Sequence, residues 1–386
     1  MTLERTIEDI DKVVLHAKLD PEDLMPQSQV LHFDSNPLDL TQLRLVEMEP
    51  TLAEGLIQGQ ILTFRGQDQD SLVLCTQDQT FDVKEAETSN SLLIMDRLEF
   101  PRPTALTEVK PRHVAQSSVL GVFHRYLELK PCQPRLKRLF DHMKQSPLAS
   151  SSDLTSGSSL SQLLKCIQCS ENELIQALAQ VPTVQLEGRW FYLEPDFRMK
   201  LLMYFTNYVE MNAWDWDNVV REDILEMLTT FEPRNLLEQI FDYYFDSPGS
   251  KPGAFKMNRA KVARFHGEYL LESGSAFALA DFQKMWQQSV PECLTTELTL
   301  LQDISLVDRE SAPPLIKIFR ERDLPENVQE RLAILFREKE KWTVEEMTPF
   351  VEKLTSAKLN VNALLTKYAR ASKINGVKYF GAKHGK

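Results

Sequence analysis

The stretch SLVLCTQDQTFDVKEAETSNSLLIM, residues 71–95, decides how this chain is read. Large apolar residues alternate with polar ones at Leu72, Leu74, Phe81 and Val83. A period of two suits half-buried strands, with Gln77 to Gln79 as the turn between them. The pattern predicts two or three short strands, and nothing in it is suited to catalysis. Working outward, residues 1–100 read as a small β-rich domain. A helix is expected near Thr6 to Ala17, strands at Gln29 to Phe33 and Leu43 to Met48, and a short helix from Thr51 to Ile57. Phe100-Pro101-Arg102-Pro103 breaks regular structure and is the expected boundary, beyond which the pattern turns helical.

The chain has 386 residues, 42% of them hydrophobic, enough for more than one core. No apolar run reaches the ~20 residues a membrane helix needs, and MTLERTIEDID is charged where a signal peptide would be apolar. An intracellular location is the expectation. Five dispersed cysteines, Cys75, Cys132, Cys166, Cys169 and Cys293, do not suggest a disulfide framework. Cys166 and Cys169 form a lone CxxC with no second pair to complete a zinc set, so no metal is expected.

Charge is unevenly spread. The net −12 of the whole chain is matched by −13 in residues 1–100, where 7 Lys and Arg face 20 Asp and Glu. The rest is nearly neutral, yet Lys353, Lys358, Lys367, Arg370, Lys373, Lys378, Lys383 and Lys386 follow one another with no Asp or Glu between them. A smaller run, Lys251, Lys256, Arg259, Lys261 and Arg264, follows the loop expected at Asp246 to Ser250. Such local basic surfaces suit a phosphate backbone even in an acidic protein.

Past the Ser-rich patch Ser146 to Ser161, three segments share helices followed by a possible two-strand hairpin, the outline of a winged-helix unit. In the first, Leu160 to Cys169 is a helix. Ser170 with Glu173 caps the next one, and Glu187-Gly188 turns a hairpin between Val184 to Leu186 and Trp190 to Tyr192. In the last, Glu326 to Arg337 is a helix and Thr343 with Glu346 caps a second. Val361, Leu364, Leu365 and Tyr368 line the inner face of a third, and Asn375-Gly376 turns a hairpin whose first strand must be short. The middle segment is expected to use Lys261 to Leu271, Leu279 to Ser289 and Thr295 to Ile304 as helices, with strands at Ile304 to Val307 and Leu315 to Phe319. Asp196 to Asn212 and Trp216 to Phe245 read as connecting helices, with Trp214 and Trp216 as partly exposed contacts between units. The expected organisation is α+β: a β-rich barrel-type domain (1–100), winged helices at 101–195, 256–320 and 321–386, and a helical connector at 196–255.

Catalytic patterns are missing. Gly249-Ser250-Lys251 lacks the glycines of a phosphate loop, there is no GxSxG or HExxH, and seven His residues are scattered singly. The chain is therefore expected to be a non-enzymatic binding protein without a cofactor. On the last winged helix, Asn360, Thr366, Lys367 and Arg370 face away from the apolar side, and Lys373 and Lys378 sit on the wing. The candidate DNA-binding residues are Lys353, Lys358, Lys367, Arg370, Lys373, Lys378 and Lys383, with Lys256, Arg259, Lys261 and Arg264 in the middle unit. The competing reading of such a run is a solvated tail serving solubility.

Leu45-Val46-Glu47-Met48, Leu62 to Gly66 and the LCT and SNSLL segments, in this order, resemble the sister-chromatid-cohesion subunit family of the alternative, replication factor C-like clamp loaders. The resemblance implies a nuclear, non-catalytic subunit. Its first domain would share a β-barrel with the large subunit's tail and a small third subunit. Its winged helices would contact the leading-strand DNA polymerase and single- and double-stranded DNA. Unpaired strand edges favour completion by partner strands, which makes Leu72, Leu74, Phe81, Val83, Leu92 and Leu93 the candidate partner-binding residues. A winged-helix scaffold of a transcription or protein-degradation assembly, with no DNA role, is the alternative.

Overall fold

The computed structural model describes residues 5–20, 27–98, 113–145, 147–152, 154–247, 251, 253–355, 359–374 and 376–383. The amino-terminal part runs α1 (Ile7–His16), β1 (Gln27–Phe33), β2 (Val46–Glu47), α2 (Pro50–Ile57), β3 (Thr63–Arg65), β4 (Val73–Cys75), β5 (Thr80–Met95) and β6 (His113–Pro131). Thr6 and Asp9 form a reciprocal capping box that starts α1. The 71–95 stretch makes two strands, because SNSLL lies inside the single long β5 rather than in a third. Leu43 to Met48 keeps only the two paired residues of β2. The expected boundary at Phe100 to Pro103 lies outside the described residues.

The chain divides into two compact units, one of residues 1–62 and 81–131, the other of 63–80 and 132–386. This corrects the expected 1–100 boundary in two places. First, the pattern does not turn helical after Pro103: His113–Pro131 is a 19-residue strand of the first unit. Its Val119, Val122, Phe123 and Tyr126 are β-branched and aromatic residues that favour extended backbone. Second, β3 and β4 belong to the second unit.

In the first unit β6 is the central strand. It pairs antiparallel with β5 from Phe81↔Pro131 to Met95↔Val119, with a bulge between Glu87 and Leu92. β1 and β2 lie parallel to β6, at Gln27↔His113 through Phe33↔Val119 and at Val46↔Leu127. Buried large apolar residues of this unit are Leu52, Phe81 and Val119. By contrast Leu15 is 80% exposed, Phe33 75%, Ile57 85% and Ile61 79%, and α1 buries no residue.

The second unit repeats one order of elements four times. The first copy is α3 (Lys137–Lys144), β7 (Ser158–Ser159), α4 (Leu160–Cys166), α5 (Glu171–Gln180), β8 (Thr183–Leu186) and β9 (Arg189–Tyr192). Its first strand pairs with its last and the last with the middle one, β7-β9-β8. Glu187 and Gly188, at φ 50° and 74°, give the left-handed pair that a tight hairpin turn needs.

The second copy occupies the segment expected to be a helical connector: α6 (Pro195–Met211), Val219, α7 (Arg221–Leu228), α8 (Arg234–Tyr244), β10 (Phe245–Asp246) and β11 (Lys256–Met257). Val219 bridges Phe255 beside β11, which pairs with β10, so the strand order is the same. Its strands are two residues long or less and nine residues separate β10 from β11, which hid the hairpin from a periodicity reading.

The third copy is α9 (Arg259–Glu272), β12 (Phe277–Ala278), α10 (Leu279–Ser289), β13 (Ser305–Asp308) and β14 (Leu315–Ile318), ordered β12-β14-β13. The helix expected at Thr295 to Ile304 is reduced to a single 3-10 turn, Leu298–Leu301. The fourth copy is α11 (Val328–Glu338), Trp342, α12 (Val344–Val351), α13 (Val361–Tyr368), β15 (Arg370–Ile374) and β16 (Val377–Gly381). Trp342 bridges Phe380 of β16 through paired backbone bonds of 3.0 and 2.8 Å. β15 has five residues, so the expectation of a short first strand fails.

Three clusters of buried apolar side chains lie in this unit, one running unbroken from Leu148 to Ile316. Gly267 shows how close the packing is. A Cβ there would sit 2.8 Å from the Trp286 ring, whose Nε1 donates to Ala263 O at 2.7 Å. Trp214 and Trp216 are half-buried against the same cluster, with Trp214 edge-on to Tyr208. The β3–β4 hairpin is clamped by the first copy. Gln168 Nε2 donates to Ser71 O at 2.6 Å, Arg138 forks onto Asp70, and Thr80 Oγ1 donates to Glu173 Oε2 at 2.5 Å.

Candidate nucleic-acid interface

The fourth copy builds its surface from a capped helix and a hairpin. Asn360 accepts from Ala363 N at 2.9 Å to start α13, and Leu364 and Leu365 are fully buried against Phe350, Val351 and Phe380. The 3.6-residue period then leaves Asn362, Ala363, Thr366 and Lys367 exposed. The chain continues into β15, every residue of which is exposed.

Lys373 and Lys378 are direct cross-strand partners. Like charges opposite each other destabilise a hairpin, so this pair costs stability. Lys378 Nζ lies 4.7 Å over the Phe380 ring and Lys367 Nζ 5.0 Å over Tyr368. Lys383 Nζ donates to Lys367 O at 2.9 Å, which ties the end of the chain to α13. Lys367, Arg370, Lys373, Lys378 and Lys383 are all exposed, and residues 353–383 contain no carboxylate side chain. Oriented cations without local acids are suited to phosphate contacts rather than base reading.

The other sequence candidates are placed differently. Lys353 Nζ binds Glu321 Oε2 at 2.6 Å, in a cluster where buried Arg331 takes the other oxygen at 2.6 Å. Lys358 lies outside the described residues. Arg264 forks onto Asp303 at 2.5 and 2.7 Å and donates to Leu300 O. Burial opposes both charges, but the fork outweighs it: the Asp303 carboxyl is held below its usual value and the Arg264 guanidinium above. Arg259 pairs with Asp217 at 3.1 Å, and Lys261 Nζ donates to Tyr243 O at 2.9 Å. Lys256 is exposed on β11 opposite Asp246. The middle run is thus largely committed to the protein itself. Lys341, exposed beside the Trp342 bridge, joins the edge of the fourth copy's sheet. Its alternation with acids in EKEK masked it in the sequence.

Among the candidate partner-binding residues, Leu74 is 1% and Phe81 7% exposed, so both are packing groups. Val83 is half-buried, while Leu72, Leu92 and Leu93 are exposed at 40, 37 and 42%. The strand expected at Gln29 to Phe33 is present as β1, but its residues were not among the candidates: Leu31 is 48% and Phe33 75% exposed on one side of this edge strand. Its alternation was legible, but not which side faces solvent.

Among the described residues no group of three or more His, Cys, Asp and Glu could hold a metal ion. Cys75 and Cys169 are buried, and burial pushes the Cys169 thiol up to about 12, which keeps it an unreactive thiol. No described helix is long and apolar enough to cross a membrane.

Comparison with known proteins places the chain. The profile of the sister chromatid cohesion protein Dcc1 family matches residues 43–351. The chain is 34% identical over 388 residues to sister chromatid cohesion protein DCC1 of Mus musculus, covering 98% of this chain and 97% of the relative. It is 34% identical over 390 residues to the protein of that name in Homo sapiens, covering 99% of each. Against that of Saccharomyces cerevisiae it is 21% identical over 361 residues, covering 86% and 94%. With the family profile spanning most of its length and relatives matching it end to end, this chain belongs to the Dcc1 sister chromatid cohesion protein family.

Proposed function

We propose that this chain is a non-catalytic subunit of a nuclear, alternative replication factor C-like clamp loader. In this reading the four repeated copies are winged helices, one more than the sequence suggests. The first unit completes a β-barrel with the large subunit's tail and a small third subunit. The copies that follow it in the sequence contact the leading-strand DNA polymerase and DNA, so that the sliding clamp is loaded at replication forks during sister-chromatid cohesion. The fourth copy engages single- and double-stranded DNA through Lys367, Arg370, Lys373, Lys378 and Lys383.

One observation carries the reading: among its described residues the first unit is a long-stranded sheet with few buried large apolar side chains. A sheet needs an apolar face covered to be stable, and one with Phe33, Leu31, Leu92 and Leu93 exposed is completed by something outside it. The acidic balance of residues 1–100 suits basic partner segments. The test is co-expression of full-length Leu31→Asp/Phe33→Asp with the two subunits. Loss of the complex is expected, with the melting transition of the second unit unchanged. Full recovery of the complex would overturn the assignment.

A further inference from the structure

A cavity of about 290 Å³ opens where the first three copies meet. Leu178, Pro182, Trp190, Leu193 and Ile240 wall it, and Arg198 of α6 lines it. Gln239 fixes the first copy on the second: its Oε1 accepts from Gln185 N at 2.7 Å and its Nε2 donates to Gln185 O at 2.8 Å. The cavity is therefore a formed feature of packed elements rather than a gap between loops.

Arg198 is only 6% exposed, with its guanidinium 3.8 Å over the Phe265 ring. Its Nε donates to Tyr244 Oη at 2.7 Å, and the two Nη nitrogens make no hydrogen bond among the described residues. The acid nearest in effect, Glu268, is already shared. It accepts from Arg320 at 3.2 Å and Arg322 at 3.4 Å, and the charges of Arg322, Arg198, Arg320 and Arg264 hold its carboxyl down against burial. Arg320 also pairs with Glu272 and Arg264 with Asp303, which leaves Arg198 as the one of these four arginines with no ion pair among the described residues. A stacked guanidinium keeps its outer edge available for a planar, two-pronged acceptor, and leaving it unpaired in a buried place is costly.

We propose that this cavity is a docking site for an acidic side chain flanked by an apolar residue, carried on a segment of a partner protein. Its anion bonds the Arg198 edge, and its apolar neighbour lies against Trp190 and Ile240. Lys261, which lines the mouth with Nζ held on Tyr243 O, adds a second cation. Asp242 also lines the site, with its carboxylate taken by Arg221 at 3.3 and 3.4 Å. A nucleic-acid strand would set charged phosphates against the apolar walls of Leu178, Trp190 and Ile240, whereas a single acidic side chain with an apolar neighbour matches both. The geometry therefore favours a peptide. It names a contact that the proposed clamp-loader role does not require, so the two stand or fall separately.

The experiment titrates the full chain with N-acetyl-leucyl-glutamate amide, its glutamine isostere and N-acetyl-phosphoserine amide, followed by calorimetry and tryptophan fluorescence. The glutamate probe should bind at least about tenfold more tightly than the isostere, since a charge-assisted fork is worth more than a neutral bond. Tighter binding of the phosphoserine probe than of the glutamate probe would assign the anion to a phosphorylated side chain. Arg198→Met should abolish the discrimination and Arg198→Lys retain part of it. Ala179→Trp, at the exposed rim, should block binding with Arg198 intact, and it decides the matter if Arg198→Met does not fold. Equal binding of acid and isostere, undiminished binding in Ala179→Trp, or no binding of either anion would overturn the proposal.

Discussion

β5 and β6 hold each other by a long antiparallel ladder, yet beside them Phe33, Ile57 and Ile61 stand in solvent. In the second unit the strands are two to five residues long, and most large apolar side chains are enclosed, although some such as Met211 and Phe231 are exposed. The first unit is rich in backbone bonds and poor in burial; the second combines helical and short-strand backbone bonds with extensive burial. Net stability comes mainly from burial, while backbone bonds largely replace bonds to water. The second unit should therefore be stable by itself and the first should gain its stability from what binds it. Trp286→Ala breaks this contrast at its strongest point. It should cost the second unit about 3–5 kcal/mol, read by chemical denaturation, because it removes a fully buried ring together with the bond its Nε1 gives to Ala263 O. Leu92→Ala in the first unit should leave that transition unmoved. Equal losses from both would show one cooperative structure instead of two.

The second unit should also carry the acid sensitivity. His266 is 8% exposed, and burial lowers its imidazole from 6.5 to about 4. Below pH 6.5 the unfolded chain takes up a proton that the folded chain refuses until about pH 4, so stability falls as pH drops through that window. The loss should reach on the order of 3 kcal/mol at the low end. His266→Gln should flatten the dependence between pH 6.5 and 4 in urea melts. An unchanged slope would assign the acid loss to other groups, such as the Asp303 carboxylate held by Arg264.

How much of this was legible depended on how local the signal was. Ser170 with Glu173 and Thr343 with Glu346 are reciprocal caps in the structure as their spacing implied, and Glu187-Gly188 turns its hairpin. The second copy was hidden because β10, β11 and the Val219 bridge are too short to carry a period. Arg264 and Lys353 looked available as cations because their acids, Asp303 and Glu321, lie 39 and 32 residues away. Leu74 and Phe81 show the same limit, since alternation marks an apolar face without saying what covers it.

The exposed hairpin of the fourth copy sharpens the comparison, as it is a surface whose charge is arranged against its own stability. Replacing Lys367, Arg370, Lys373 and Lys378 together with Ala should weaken binding to all DNA sequences alike. Each lost phosphate contact should flatten the log affinity against log salt slope by roughly 0.9 on duplex DNA. Leu364 and Leu365 are untouched by these changes, so the fold should survive. Unchanged affinity and slope would return the run to a role in solubility.

The smallest effect is the most discriminating. Lys373→Glu places a carboxylate directly opposite Lys378, turning a repulsive cross-strand pair into an attractive one. Pairs at this spacing contribute roughly 0.2–1 kcal/mol, so the variant hairpin should be slightly more stable in thermal melts. If the two lysines are placed for phosphate, the same variant should bind DNA more weakly than Lys373→Ala, because it neutralises Lys378 as well as removing a cation. A surface kept only for solubility would gain the stability and lose nothing. Stability and affinity moving in opposite directions is thus the signature of a binding face, and stability rising with affinity unchanged would exclude the hairpin from it.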